Sequence, residues 1–225
     1  MLNGGSIFGG GGSSSSSSTP GIRKAQKLVA QSPQDPAAYR ALATAFQAAS
    51  KPDSAIPPLT KYTALRPKDA DALLELAALY GGTASRLTTS AQVQQQLPLV
   101  QGGSVFRPDS QTGLGKALAA DQVTDAVQTV LSTRISELYG KVNKAYADQV
   151  AIYKKVVALD PQDGSLLVQL ANAQQQTGDT QGAIASYTSF LKIAPDDPLA
   201  DAVKQQLKAL LPAPQVTATG SKGNG

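Results

Sequence analysis

The tripeptide Pro-x-Asp returns four times in this chain, as Pro33-Gln34-Asp35, Pro67-Lys68-Asp69, Pro161-Gln162-Asp163 and Pro195-Asp196-Asp197. The first two prolines stand 34 residues apart and so do the last two; the middle gap is 94, one further period plus 60. Asp in each tripeptide is placed to accept the free N–H groups that open a helix. Thirty-four residues hold two short helices and their turns, and recurrence at that length is the mark of stacked helix–turn–helix units. The chain is thereby constrained to an all-α fold, a solenoid of about three repeats with one large insertion that contains a long helix.

Composition fits that constraint. The chain has 225 residues and 41% hydrophobic content, enough to fill a core. Aromatics are 5% and Trp is absent, so the core must be Ala/Leu/Val packing, which closely approaching helices favour. Cys and His are both absent, which removes disulfides, zinc sites, thiol nucleophiles and imidazole bases together. The net charge of +4 is dispersed, and the longest basic pairs, Arg23-Lys24 and Lys154-Lys155, cannot neutralise many phosphates, which argues against a nucleic-acid partner. No stretch reaches the roughly 18 apolar residues that a membrane helix needs.

Residues 1–18 read as a flexible Gly/Ser linker, with Gly9 to Gly12 followed by Ser13 to Ser18. It is either a plain terminus or a tether to an anchor or domain further upstream; its composition allows both. A domain spanning 19–213 follows, then a loose tail over 214–225. Thr19-Pro20 opens a first helix to about Gln31, with a thin apolar face of Ile22, Leu28 and Val29. The first repeat covers 36–69. Tyr39, Leu42, Ala43 and Phe46 share one face of its first helix, and Ala55, Leu59, Tyr62 and Leu65 belong to the second. Pro57-Pro58 predicts that this second helix starts late, near residue 57, and is short.

The second repeat opens at Ala70 with Leu73, Leu76, Ala77 and Tyr80, then meets Gly81-Gly82, where the helix is expected to stop. It is completed by 143–163, beyond an insertion over 83–142. A polar stretch (83–117) with one short helix at 90–97, stopped by Pro98, precedes an apolar rhythm from Val123 to Leu159. That rhythm predicts one or two helices totalling about 40 residues, with Gly140 as the bend if there is one. The third repeat, 164–197, carries Leu167, Leu170 and Ala171, then a Thr177-Gly178-Asp179 turn, then Ala183, Ile184, Tyr187, Phe190 and Ile193. A polar capping helix over 198–211 closes the stack before Pro212 and Pro214.

These positions resemble the tetratricopeptide repeat (TPR) pattern of large apolar residue, Leu, small residue, Tyr/Phe, Ala, aromatic, apolar residue and Pro at fixed offsets. Gln174 departs from it in the third repeat and Gln149 in the split one. The Gly-rich tether makes the layout similar also to bacterial TPR proteins in which a membrane helix precedes such a linker, which implies a membrane-associated protein, cytoplasmic or extracytoplasmic. The resemblance implies a concave groove lined by the first helices of the repeats. The groove-facing positions here would be Ala37, Arg40, Thr44 and Gln47, then Asp71, Leu74 and Ala78, then Ser165, Val168, Asn172 and Gln175, with Arg40, Thr44, Gln47, Leu74, Ala78, Val168, Asn172 and Gln175 as the partner-binding residues. Family members that grip a terminal carboxylate do so at positions held here by Arg40, Thr44, Glu75, Ser165 and Gln169. Glu75 would repel that ligand, so the activity is not expected.

No catalytic chemistry emerges from the residues. Gly113-Leu114-Gly115-Lys116 has Ser110 and Ala117 where a phosphate loop requires Gly and Ser/Thr. The two glutamates, Glu75 and Glu137, sit in separate helices, and the aspartates are explained as caps. Asp196, Asp197 and Asp201 lack the loop geometry of a cation site. The expectation is a non-catalytic protein–protein interaction scaffold that needs no metal or cofactor. The other reading is a structural element that self-associates, as a homodimer, through the long inserted helix in coiled-coil fashion. Residues 83–117 are either a partner-contacting flap or a plain surface loop.

Overall fold

The computed structural model describes residues 20–101, 112–113 and 122–211. The described residues form eight helices and no strand: α1 (Pro20–Gln31), α2 (Pro36–Ala48), α3 (Pro52–Leu65), α4 (Ala70–Gln101), α5 (Gln122–Leu159), α6 (Gly164–Gln176), α7 (Thr180–Ile193) and α8 (Ala200–Leu210). The linker 1–18, the Thr19 cap, most of the 113–116 motif and the tail after 211 lie outside the described residues, as does 102–111 of the polar stretch.

Aspartates start the helices. Asp35 Oδ1 accepts from Ala37 N at 2.9 Å, Asp69 Oδ1 from Ala72 N at 3.0 Å, and Asp163 Oδ1 from Ser165 N at 2.8 Å. Asp179 caps α7 through Gly182 N at 2.9 Å. At the fourth tripeptide Asp197 Oδ1 instead accepts from Leu199 N, and the capping helix begins at Ala200, two residues later than the sequence suggests. Two helices end alike. Gly178 takes φ +75° at the end of α6 with Asp179 N bonded to Gln174 O, and Ser50 takes φ +56° after α2 with Lys51 N bonded to Phe46 O. Each is the six-residue closure that satisfies orphan carbonyls.

The contacts divide the chain into two compact units, the first ending at Tyr62 and the second beginning at Thr63. In the first, α1 packs on α2, and Ile22, Ala25, Ala38, Ala43, Ala55 and Leu59 are buried. The face of α1 is carried by Ile22 and Ala25; Leu28, expected on it, is 41% exposed. The late, short second helix is not what forms: α3 begins at Pro52 and runs through Pro57 and Pro58. Pro52 and Asp53 supply the start, and the two missing N–H groups fall only in the second turn. There the roughly 3 kcal/mol that each interior Pro costs is offset by burying Pro58 and Leu59.

In the second unit each helix from α4 to α8 packs on the next. Leu167, Ala171, Ala183, Tyr187, Phe190, Ala200 and Val203 make the α6–α8 core; Val150, Leu170 and Ala173 join α5 to α6. The pairing of α4 with α5 overturns two expectations. Gly81-Gly82 does not end a helix, and the predicted helix at 90–97 is part of α4, which continues across Pro98 to Gln101. Nor does Gly140 divide α5, a single helix of 38 residues. Both helices outrun a 13-residue repeat helix by far, α4 at about 48 Å and α5 at about 57 Å. They form an antiparallel pair in which Ala84 packs on Val142 and Ala145, and Gln95 Nε2 donates to the Tyr139 hydroxyl at 3.2 Å.

Tertiary packing overrides local preference here. Gly81 lies where an added Cβ would come within 2.5 Å of Gln149 Nε2, so the missing side chain makes room for a large residue on α5. Beyond it, Thr83, Ser85, Thr88, Thr89 and Ser90 each donate a hydroxyl to the carbonyl four residues back. Ala84 and Ala91, both at 0% exposure, give that polar helix a narrow buried stripe.

Candidate functional site

A cleft of about 460 Å³ lies where α4, α5 and α6 meet. Ala78, Gly81 and Gly82 of α4 line it. Position 149 of α5 brings Gln149 between Tyr146 and Tyr153, and α6 adds Gln169, Asn172 and Gln176. Bare backbone at Gly81 and Gly82 forms one wall; phenol and amide groups form the others.

Hydrogen bonding fixes the polar groups. The Tyr187 hydroxyl, from α7, donates to Asn172 Oδ1, which commits the oxygen and turns the amide NH₂ outward as a donor. Burial pushes the Tyr153 phenol above its ordinary pKa, opposed by a weaker hydrogen bond with Gln149, and burial likewise raises Tyr187. Both phenols are therefore neutral at physiological pH, and among the described residues no charged side chain lines the cleft. Such a surface can donate and accept hydrogen bonds and cover apolar groups, but has no ionic group with which to hold a terminal carboxylate or a phosphate. Among the described residues no three acidic side chains gather as a metal site.

The structure brings together only some of the groove residues expected from sequence. Ala78 and Asn172 line the cleft; Leu74 and Gln175, both half-buried, do not. Val168 packs instead against the α6–α8 core. Arg40, Thr44 and Gln47 belong to the first unit. There the Arg40 guanidinium lies 5.7 Å from the Tyr62 ring centroid, a cation–π distance, and the Thr44 hydroxyl donates to Arg40 O at 3.0 Å. Gln47 is half-buried. Tyr146, Tyr153 and Gln176 were not legible as cleft residues. Gln149 and Gln169 did carry a signal, the first as a departure from the repeat pattern and the second as an equivalent of a ligand-gripping position.

Residues 135–208 match the tetratricopeptide repeat family model, a third of the chain. The match takes in α5 from Ile135 onward, all of α6 and α7, and most of α8. The fold is all-α and tetratricopeptide-type, with a large insertion containing a long helix. No curated protein matches the sequence. Among solved structures, the chain is similar to MamA at 16% identity over 77% of this chain and 86% of that one, with a TM-score of 0.27. It is similar to a chain of the APC/C hetero-tetramer Cut9-Hcn1 at 18% identity over 85% of its length, with a TM-score of 0.29, and spans 39% of that protein. A third is the C-terminal part of a TPR repeat-containing protein from Cytophaga hutchinsonii, at 17% identity, 86% and 90% coverage and a TM-score of 0.22.

Proposed function

We propose that the chain is a non-catalytic protein–protein interaction scaffold that takes an extended segment of another protein into the cleft between α4, α5 and α6. One observation carries the reading: the cleft is open, uncharged and walled by Gly backbone, two phenols and an Asn amide oriented by Tyr187. Exposed amide and phenol groups match the donors and acceptors of a peptide main chain, and the absence of a cation favours an internal segment over a chain terminus. The repeat-family match, which covers the α5 and α6 walls of the cleft, supports the reading. Arg40, Thr44 and Gln47 on α2 make a second contact surface of the first unit. Residues 1–18 serve as a tether, to a membrane anchor or another domain. Among the described residues no helix is long and apolar enough to cross a membrane.

Site-specific photo-crosslinking in cells tests the proposal. A photoreactive residue replacing Ala78 in the cleft should capture discrete partner proteins, and one replacing exposed Lys155 on α5 should not. Asn172→Arg, which fills the cleft with a cation, should abolish capture from position 78. Equal capture from both positions, or capture indifferent to Asn172→Arg, refutes the cleft as the docking site.

A further inference from the structure

The outer face of the α4/α5 arm carries a charge pattern that the recruiting role leaves unused. Along α5, Val130, Arg134, Glu137 and Lys141 recur at steps of four, three and four and share one stripe, which borders a groove of about 580 Å³ with Ser90 and Gln94 of α4. Steps of this kind place residues on the seam between two paired helices. All four are exposed, Val130 at 64%. Among the described residues, Arg134, Glu137 and Lys141 make no ion pair with one another or with a neighbour. Among the described residues the stripe is a helix face without a partner.

The order of these residues is self-complementary. A two-fold axis crossing α5 between Ile135 and Ser136 sets Arg134 against the partner's Glu137, and Glu137 against the partner's Arg134. The same axis sets Val130 against the partner's Lys141, whose methylene stem can cover an apolar side chain while its ammonium stays in water. Thr133 then meets the partner's Leu138. Seven-residue spacing between Val130 and Glu137, and again between Arg134 and Lys141, is what an antiparallel pair of α-helices requires of its facing positions. An isologous contact needs one patch to complement itself in this manner. A parallel arrangement would set Arg134 against Arg134 and Glu137 against Glu137.

We propose that this stripe is a homodimer surface, with α5 of one chain antiparallel to α5 of a second copy and Arg134–Glu137 pairs on either side of the axis. The proposal is independent of the cleft and goes beyond the recruiting role: it supplies a two-fold scaffold with two clefts. From Thr129 to Lys141 the stripe is about 18 Å long, which places the contact at the small end of specific interfaces.

Sedimentation equilibrium and light scattering on the full chain, over a concentration series at low and high salt, test it. The wild type should dimerise, and less so at high salt. Arg134→Glu or Glu137→Arg alone sets like charges across the axis and should weaken association at least about tenfold. The double variant Arg134→Glu/Glu137→Arg should restore it, because each pair is re-formed with reversed sign. Far-UV circular dichroism checks that each variant keeps its helix content. A wild type that stays monomeric throughout the series overturns the proposal and leaves the stripe to a different protein. A dimer indifferent to the single swaps, or a folded double variant that fails to recover, overturns it equally.

Discussion

Gly→Ala should change sign between two helix-interior sites of this chain, and the structure says why. In an exposed helix interior, Ala is favoured over Gly by about 1 kcal/mol, because Gly loses more backbone freedom on folding. Gly140 is such a site: it is exposed in α5, and nothing lies within 4 Å of the position its Cβ would take. Gly140→Ala should stabilise by about 1 kcal/mol. Gly182, in the first turn of α7, differs. A Cβ there would collide with Asp179 Oδ2 and Gln174 Nε2, the two groups that organise the α6–α7 turn. Asp179 caps α7 through Gly182 N and accepts from Gln174 Nε2 at 3.3 Å, while Gln174 Oε1 accepts from the Ser186 hydroxyl at 2.7 Å. Gln174 and Ser186 are buried.

Moving the Asp179 carboxylate aside weakens a cap worth about 1 kcal/mol. Displacing the buried Gln174 amide from its partner costs about 1–3 kcal/mol more. Against these stands the propensity gain of about 1 kcal/mol, so Gly182→Ala should destabilise by about 1–3 kcal/mol. Urea denaturation followed by far-UV circular dichroism separates the two variants, with midpoints moving in opposite directions. Adding Asp179→Ala isolates the cause, since Gly182→Ala should be far less costly once the carboxylate is gone. If Gly182→Ala stabilises as Gly140→Ala does, the tight amide–carboxylate packing described for this turn is wrong.

Ala183→Asp, at a position with 0% exposure among Leu167, Tyr187 and Phe190, should cost about 4 kcal/mol and lower the melting temperature sharply; an unchanged melting temperature would contradict the packing of α6 on α7. Ser50→Gly should stabilise by about 1 kcal/mol, since Ser50 holds at φ +56° the conformation that Gly178 takes at the end of α6; a fall in the denaturation midpoint would refute a left-handed cap there. Asp163 has its carboxyl held below the usual range by the Ser165 side chain first and the Leu166 and Ser165 N–H groups after it, so its stabilising contribution is full at neutral pH and is lost as pH falls through that lowered pKa. Denaturation midpoints of wild type and Asp163→Asn should therefore converge in acid, and a constant difference down to the acid transition would count against it. Gly81→Ala should destabilise in the presence of Gln149 and be tolerated with Gln149→Ala, the coupling being read from the four midpoints of the cycle.

What was legible in the sequence was whatever a few neighbouring residues decide. Asp35, Asp69, Asp163 and Asp179 cap the helices that follow them, because the acceptor and the N–H groups it serves lie two or three residues apart. Gly178 ends α6 through its own backbone conformation. Where the deciding partner is distant, the local reading failed. Pro57-Pro58 and Gly81-Gly82 are helix breakers by propensity, yet a buried Leu59 and a Gln149 lying 68 positions from Gly81 hold the helix through them. The cleft suffered from the same blindness: Tyr146 and Tyr153 keep the helical rhythm of core residues, and periodicity does not say that a phenol's ring is covered while its edge faces a cavity. Val168 shows the converse, a groove position by offset that turns into the core.

If α4 and the end of α5 are read as the two helices of one repeat, their pairing accounts for how so long an insertion is accommodated. Added between repeats, residues would alter the angle at which one helix pair meets the next. Added at the tip of one pair, each turn on α4 can be matched by a turn on α5, so the layers below the tip keep their partners. The condition is that the two backbones approach closely enough for the pairing to continue. Gly81 meets it by leaving space for Gln149 in the last layer of the repeat, and the wholly buried Ala84 and Ala91 continue it along the arm, with Val142 and Ala145 opposite the first of them. Gln149, read on its own as a departure from the repeat pattern, is thus one half of an exchange of volume across the pair: the bulk that α5 gains, α4 gives up. The same exchange recurs between α6 and α7, where Gln174 fills the space beside Gly182. Two helix pairs thus preserve their spacing by the same means, and the cleft owes its bare Gly wall and its central amide to the first of them.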